Sequence, residues 1–109
     1  MFQQIVYQQA KDLLNQEDTI ILDVRDQQSF DAGHIPGAIH LSVAMLNDFC
    51  EQTPMQAPIL VYCYHGISSQ SVAQYLVDQG FARVYSLAGG FENWKSHRST
   101  SDTKGSNQT

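Results

Sequence analysis

The chain has 109 residues, 42% of them hydrophobic, and a formal net charge of −5. This is enough apolar material for one domain with one core. The acidic balance argues against nucleic acid as the main ligand, and no run nears the ~20 apolar residues of a membrane span, so no membrane partner is expected.

In chain order, Gln3 to Val6 reads as a short first strand. Tyr7 to Asn15 follows as a helix, with Ala10, Leu13 and Leu14 on one face. Thr19 to Arg25 is a near-continuous apolar run, the pattern of a strand covered on both faces of a parallel sheet. Ser29 to Ala32 is expected to form one helical turn capped by Ser29. Gly33-His34-Ile35-Pro36-Gly37-Ala38 reads as a turn and Ile39-His40-Leu41 as a third strand. Ser42 is expected to cap a helix over Val43 to Cys50, and Thr53 to Pro58 is loop. Ile59-Leu60-Val61-Tyr62 is a strand that delivers Cys63-Tyr64-His65-Gly66-Ile67-Ser68-Ser69, and a helical stretch over Val72 to Gln79 stops at Gly80. Arg83 to Leu87 is the last strand, and Gly90 to Lys95 opens a last helix with Phe91 and Trp94. Strands alternating with helices argue for an α/β fold with a mostly parallel sheet and right-handed crossovers. The domain is expected to span residues 1–96. Residues 97–109 contain no aliphatic residue, Phe, Trp or Tyr, and are expected to be a mobile polar tail. No internal repeat is seen.

The start, Met1-Phe2-Gln3-Gln4, lacks the basic and apolar segments of an export signal, so a cytoplasmic location is expected. Cys50 and Cys63 are the two cysteines, and in that compartment they are expected to be free thiols. His34, His40, His65 and His97 show no zinc spacing, and Gly89-Gly90 is a turn signal, not a nucleotide-binding loop. Neither a metal nor another cofactor is expected.

The candidate site is the segment Cys63 to Ser69. A cysteine at the end of a strand, before a glycine-containing loop and a helix start, faces unpaired N–H groups and the positive end of the helix dipole. Both favour the thiolate, the reactive form. Cys63 is therefore read as a nucleophile in preference to a core thiol. Gly66 serves the turn and lets successive N–H groups curl inward. Ser68 and Ser69 are N-cap residue types, and either hydroxyl is also placed to donate to sulfur. His65 is read as a rim residue contacting substrate in preference to a general base. Asp23 and Arg25 are read as a structural charge pair, and Cys50, near Leu46 and Phe49, as packing.

Four segments together resemble the rhodanese family of sulfurtransferases. Leu22-Asp23-Val24-Arg25 resembles its first motif and Gly33 to Ala38 its second. Cys63 to Ser69 is similar to the active-site loop of its short single-domain members, the GlpE type. Gly89-Gly90-Phe91-x-x-Trp94 resembles its C-terminal signature. The order matches from about Ile5 to Trp94. The resemblance implies a single domain with a five-stranded, mainly parallel sheet and helices on both faces. It implies transfer of sulfur from thiosulfate to cyanide, or to a dithiol acceptor such as thioredoxin, through a persulfide on Cys63. Tyr64, His65, Gly66, Ile67, Ser68 and Ser69 would bind substrate. Unlike the loop of the two-domain members, this one has no permanently charged side chain.

Two other readings share the fold. A phosphatase or arsenate reductase would need arginine where Ser69 stands, to clamp phosphoryl oxygens bidentately, and a longer loop. A non-catalytic interaction module would usually lack the cysteine.

Overall fold

The computed structural model describes residues 1–16 and 18–97. Five strands form one sheet: β1 (Gln3–Ile5), β2 (Ile20–Asp23), β3 (Ile39–His40), β4 (Ile59–Tyr62) and β5 (Val84–Leu87). Their order is β1-β5-β4-β2-β3, and every pairing is parallel. The registers set Leu22 beside Val61 and Val61 beside Ser86. The chain thus starts at one edge, crosses to the other and returns, which leaves β4 in the centre.

Side chains alternate across the strands and split the core into two layers. Ile21, Leu60, Tyr62 and Leu87 pack with Tyr7, Ala10 and Leu13 of α1 (Tyr7–Leu14) and with Trp94. Leu22, Ile59, Val61 and Val84 pack with Cys50 of α3 (Leu46–Gln52) and with Ala73 and Leu76 of α4 (Ser68–Asp78). Helices therefore cover both faces, and Cys50 is a packing residue. Burial without a compensating partner pushes its thiol up from the ordinary value.

Three helix starts differ from the expectation. The second helix, α2, spans Gln27–Ala32, and its cap is Asp26 rather than Ser29. The Asp26 carboxylate accepts from the Ser29 N–H at 3.1 Å and from the Ser29 hydroxyl at 2.8 Å, which satisfies an orphan donor of the first turn. After Ser42 a 3-10 turn (Val43–Met45) precedes α3, and the Ser42 side chain caps nothing. Helix α4 begins at Ser68 with Ile67 in the cap position, so neither Ser68 nor Ser69 is the cap.

Residues 90–97 form the last helix, α5. It runs through His97, one residue past the expected end of the domain. The His97 ring stacks on Tyr7 with centroids 4.5 Å apart, and its Nδ1 lies 2.9 Å from the Asn93 carbonyl oxygen. This stacking holds His97 on the domain rather than in the tail. The rest of the expected tail, residues 98–109, lies outside the described residues. Among the described residues no helix is long and apolar enough to cross a membrane.

Candidate active site

Strand β4 ends at Tyr62, and the chain turns at Cys63 toward the first turn of α4. This is the carboxyl end of the central strand, where open parallel sheets form ligand crevices. The Cys63 side chain is only 4% exposed. Its Sγ accepts from the Gly66 N–H and from the Ser69 N–H, each at 3.2 Å. Ser69 is the second residue of α4, so the sulfur does for this helix what a cap oxygen usually does. The serines are free of the capping role because Cys63 fills it. Ser69 Oγ lies 3.4 Å from Sγ and 2.9 Å from Ser86 Oγ on β5.

Burial by itself would raise the Cys63 thiol. The Ser69 hydroxyl and the N–H groups of Ser69, Gly66 and His65 outweigh it, and the thiol is held below its ordinary value. No histidine is required to ionise it. His65 is exposed, as expected of a rim residue. Among Tyr64 to Ser69, then, Gly66 and Ser69 donate N–H hydrogen bonds to the sulfur, and the His65 N–H adds a smaller electrostatic contribution.

Two carbonyls at the start of the loop are held outward. The Phe91 N–H donates to the Cys63 carbonyl at 2.8 Å, and the Glu92 N–H donates to the Tyr64 carbonyl at 3.1 Å. These are orphan donors at the start of α5. A trans peptide directs its N–H opposite its C=O, so anchoring the Tyr64 carbonyl turns the His65 N–H toward the sulfur. This anchoring needs close backbone approach. A Cβ on Gly90 would sit 2.5 Å from both the Cys63 and the Tyr64 carbonyl oxygens. Gly89-Gly90, read in the sequence as a turn signal and as part of the family's C-terminal signature, packs directly against the backbone of the Cys63 loop. The signal that marks it is Phe91 directly after the two glycines, with Trp94 three residues further on.

The other side chains of the loop diverge. The Tyr64 hydroxyl donates to Asp26 and contacts the Ser29 hydroxyl, which ties the loop to the start of α2. The bonds that Asp26 accepts from the Tyr64 hydroxyl, the Ser29 hydroxyl and the Ser29 N–H draw its carboxyl down to about 2. Ile67 is 75% exposed at the rim. Beneath the loop, Asp23 is buried and accepts from Arg25 Nη2 at 2.7 Å, the Arg25 N–H at 2.9 Å and the Tyr62 hydroxyl at 2.6 Å. Arg25 Nη2 also donates to the Gly33 carbonyl at 2.6 Å, and the guanidinium lies 4.2 Å over the Phe91 ring. Asp23 and Arg25 are therefore the structural pair expected. Nε and Nη2 of the guanidinium are taken up by Asp23 and the Gly33 carbonyl. Among the described residues no group of His, Cys, Asp and Glu could hold a metal ion.

Fold and loop together define an α/β domain that presents a cysteine sulfur to inward N–H groups at the end of its central strand. The model of the rhodanese-like domain family matches residues 6–97, and the chain belongs to that family. One relative, the thiosulfate sulfurtransferase GlpE of Coxiella burnetii, is 56% identical over 102 residues, covering 94% of this chain and 95% of the relative. The thiosulfate sulfurtransferase GlpE of Pseudomonas putida is 52% identical over 94 residues, covering 86% of each chain. The solution structure of the rhodanese-like domain of the Anabaena sp. Alr3790 protein superposes with a TM-score of 0.77 at 27% identity. It covers 88% of this chain and 75% of that one.

Proposed function

We propose that the chain is a thiosulfate sulfurtransferase that works by double displacement through a persulfide on Cys63. The observation that carries this reading is the Cys63 sulfur, buried yet held ionisable by the N–H groups of Gly66 and Ser69. Identity of 56% to a relative bearing that activity in its name supports it.

In the first step the Cys63 thiolate attacks the outer sulfur of thiosulfate. The sulfur–sulfur bond of thiosulfate breaks and sulfite leaves with its electron pair. Cys63 then carries a terminal anionic sulfur inside the loop, where N–H dipoles stabilise it as an oxyanion hole stabilises oxygen. In the second step a nucleophile takes that sulfur and the Cys63 thiolate returns. Cyanide leaves as thiocyanate. A dithiol protein such as thioredoxin is the acceptor proposed for the cell, which we take to be the cytoplasm. Both cysteines are free, as a reducing compartment requires. Splitting one transfer into two displacements is ordinary covalent catalysis. At Ser69 a short buried hydroxyl occupies the place where a phosphatase would need arginine.

The test is the intact mass of the protein after thiosulfate treatment and gel filtration. One added sulfur atom is expected, removable by cyanide. Cys63→Ser should add none and lose thiosulfate:cyanide transfer, while Cys50→Ser keeps both. Comparable transfer by Cys63→Ser would overturn the mechanism.

A further inference from the structure

Ser86 is a polar residue in the middle of β5, fully buried in the sheet. By alternation it shares a face with Val84, in the layer that also holds Leu22, Val61, Ala73 and Leu76. A hydroxyl in such a layer is costly unless it is hydrogen-bonded. Its partner is Ser69 Oγ at 2.9 Å, also fully buried. Ser69 Oγ is in turn the one side-chain oxygen found beside the Cys63 sulfur among the described residues, at 3.4 Å. The register brings this about, because Ser86 pairs with Val61 two residues before the cysteine.

We infer that Ser86 is a positioning residue for the nucleophile: its hydroxyl directs and polarises the Ser69 hydroxyl toward the Cys63 sulfur when that sulfur is ionised. The inference rests on Cys63 being the reactive thiol. Each hydroxyl has one proton, and two arrangements suit the two states of the sulfur. With a neutral thiol, the S–H donates to Ser69 and Ser69 donates to Ser86. With a thiolate the sulfur only accepts, so Ser69 turns its proton to the sulfur and Ser86 donates to Ser69. The pair reverses without breaking the bond between the two serines. A chain of hydrogen bonds that ends on a charge is strengthened along its length. Removing Ser86 therefore weakens the thiolate more than the thiol, although Ser86 never touches the sulfur.

The test is the rate of Cys63 alkylation by iodoacetamide against pH, in a Cys50→Ser background, with the modified peptide identified by mass. Ser86→Ala should raise the midpoint by about 0.5–1 unit, a three- to tenfold smaller thiolate fraction well below it. The limiting rate at high pH should not change. In a Ser69→Ala background the same substitution should move nothing, because the link to sulfur is already cut. Ser86→Thr and Ser86→Val have nearly the same shape and differ by the hydroxyl. Val should reproduce the shift and Thr should restore the original midpoint, and this comparison stands even if the alanine variant fails to fold. Equal midpoints for Thr and Val, or an undiminished shift in the Ser69→Ala background, would overturn the inference. Alkylation needs no sulfur donor, so a Cys63 with these midpoints that transfers no sulfur would overturn the transferase reading alone.

Discussion

Gly66→Ala is expected to damage both the fold and the nucleophile. Gly66 has φ +86°, and a Cβ there would lie 2.7 Å from the Gly89 amide nitrogen and 2.9 Å from the Leu87 carbonyl oxygen. Both are backbone atoms and cannot rotate away. A left-handed backbone costs a residue with a Cβ about 1–2 kcal/mol, and displacing the loop or the Leu87–Gly90 turn adds a comparable amount. A loss of about 2–4 kcal/mol in unfolding free energy follows. The displaced loop also withdraws the Gly66 N–H from the sulfur, now at 3.2 Å. A hydrogen bond to a charged group is worth about 1.5–3 kcal/mol, so the Cys63 midpoint should rise by about 1–2 units. Gly33→Ala is the control. Its backbone is extended, at φ 164°, and a Cβ there meets nothing within 4 Å. That change should stay within about 0.5 kcal/mol of wild type. Urea denaturation gives the stability and alkylation against pH gives the midpoint. If Gly66→Ala costs no more than Gly33→Ala and leaves the Cys63 midpoint in place, backbone crowding does not shape this loop.

Tyr64→Phe should release Asp26, whose carboxyl rises from about 2 toward its ordinary value, as a carbon-detected NMR titration would read. A folded-state value below the unfolded one supplies stability above the ordinary carboxyl range, lost as pH falls through about 2. Acid unfolding of Tyr64→Phe should therefore begin at higher pH, and an unmoved Asp26 would show that the hydroxyl contact is not what holds it. Ile67→Lys should lower the KM for thiosulfate a few-fold, the worth of about 0.5–1 kcal/mol at an exposed site. Residues 1–96 hold four fixed cations against ten carboxylates, and Arg25, the cation under the loop, is committed to Asp23. An equal or higher KM at low ionic strength, in a folded variant, would show that charge at the rim does not limit binding. Deleting residues 98–109, which contain no aliphatic or aromatic residue, should cost less than about 1 kcal/mol by urea denaturation. A larger loss would mean that they dock on the domain.

The strand positions and the cysteine at the end of the central strand were both legible in the sequence. Apolar runs such as Ile20 to Leu22 and Ile59 to Tyr62, short and bounded by turn residues, fit strands buried on both faces, and Cys63 stands between such a run and a Gly-Ser loop. Local pattern misplaced the helix starts because the deciding bonds are made by particular side chains. Asp26 rather than Ser29 accepts the first-turn amide of α2, and the Cys63 sulfur takes the place a serine oxygen would have at α4. That the amides of Gly66 and Ser69 reach the sulfur is visible only in the folded chain. The start of α5 also holds the Cys63 and Tyr64 carbonyls, a contact between segments more than 25 residues apart that needs Gly90 to let two backbones touch. The role of Ser86 is of the same kind. In the sequence it is one polar residue inside an apolar strand, and its meaning appears only when parallel register sets β5 beside β4 and places its hydroxyl against Ser69.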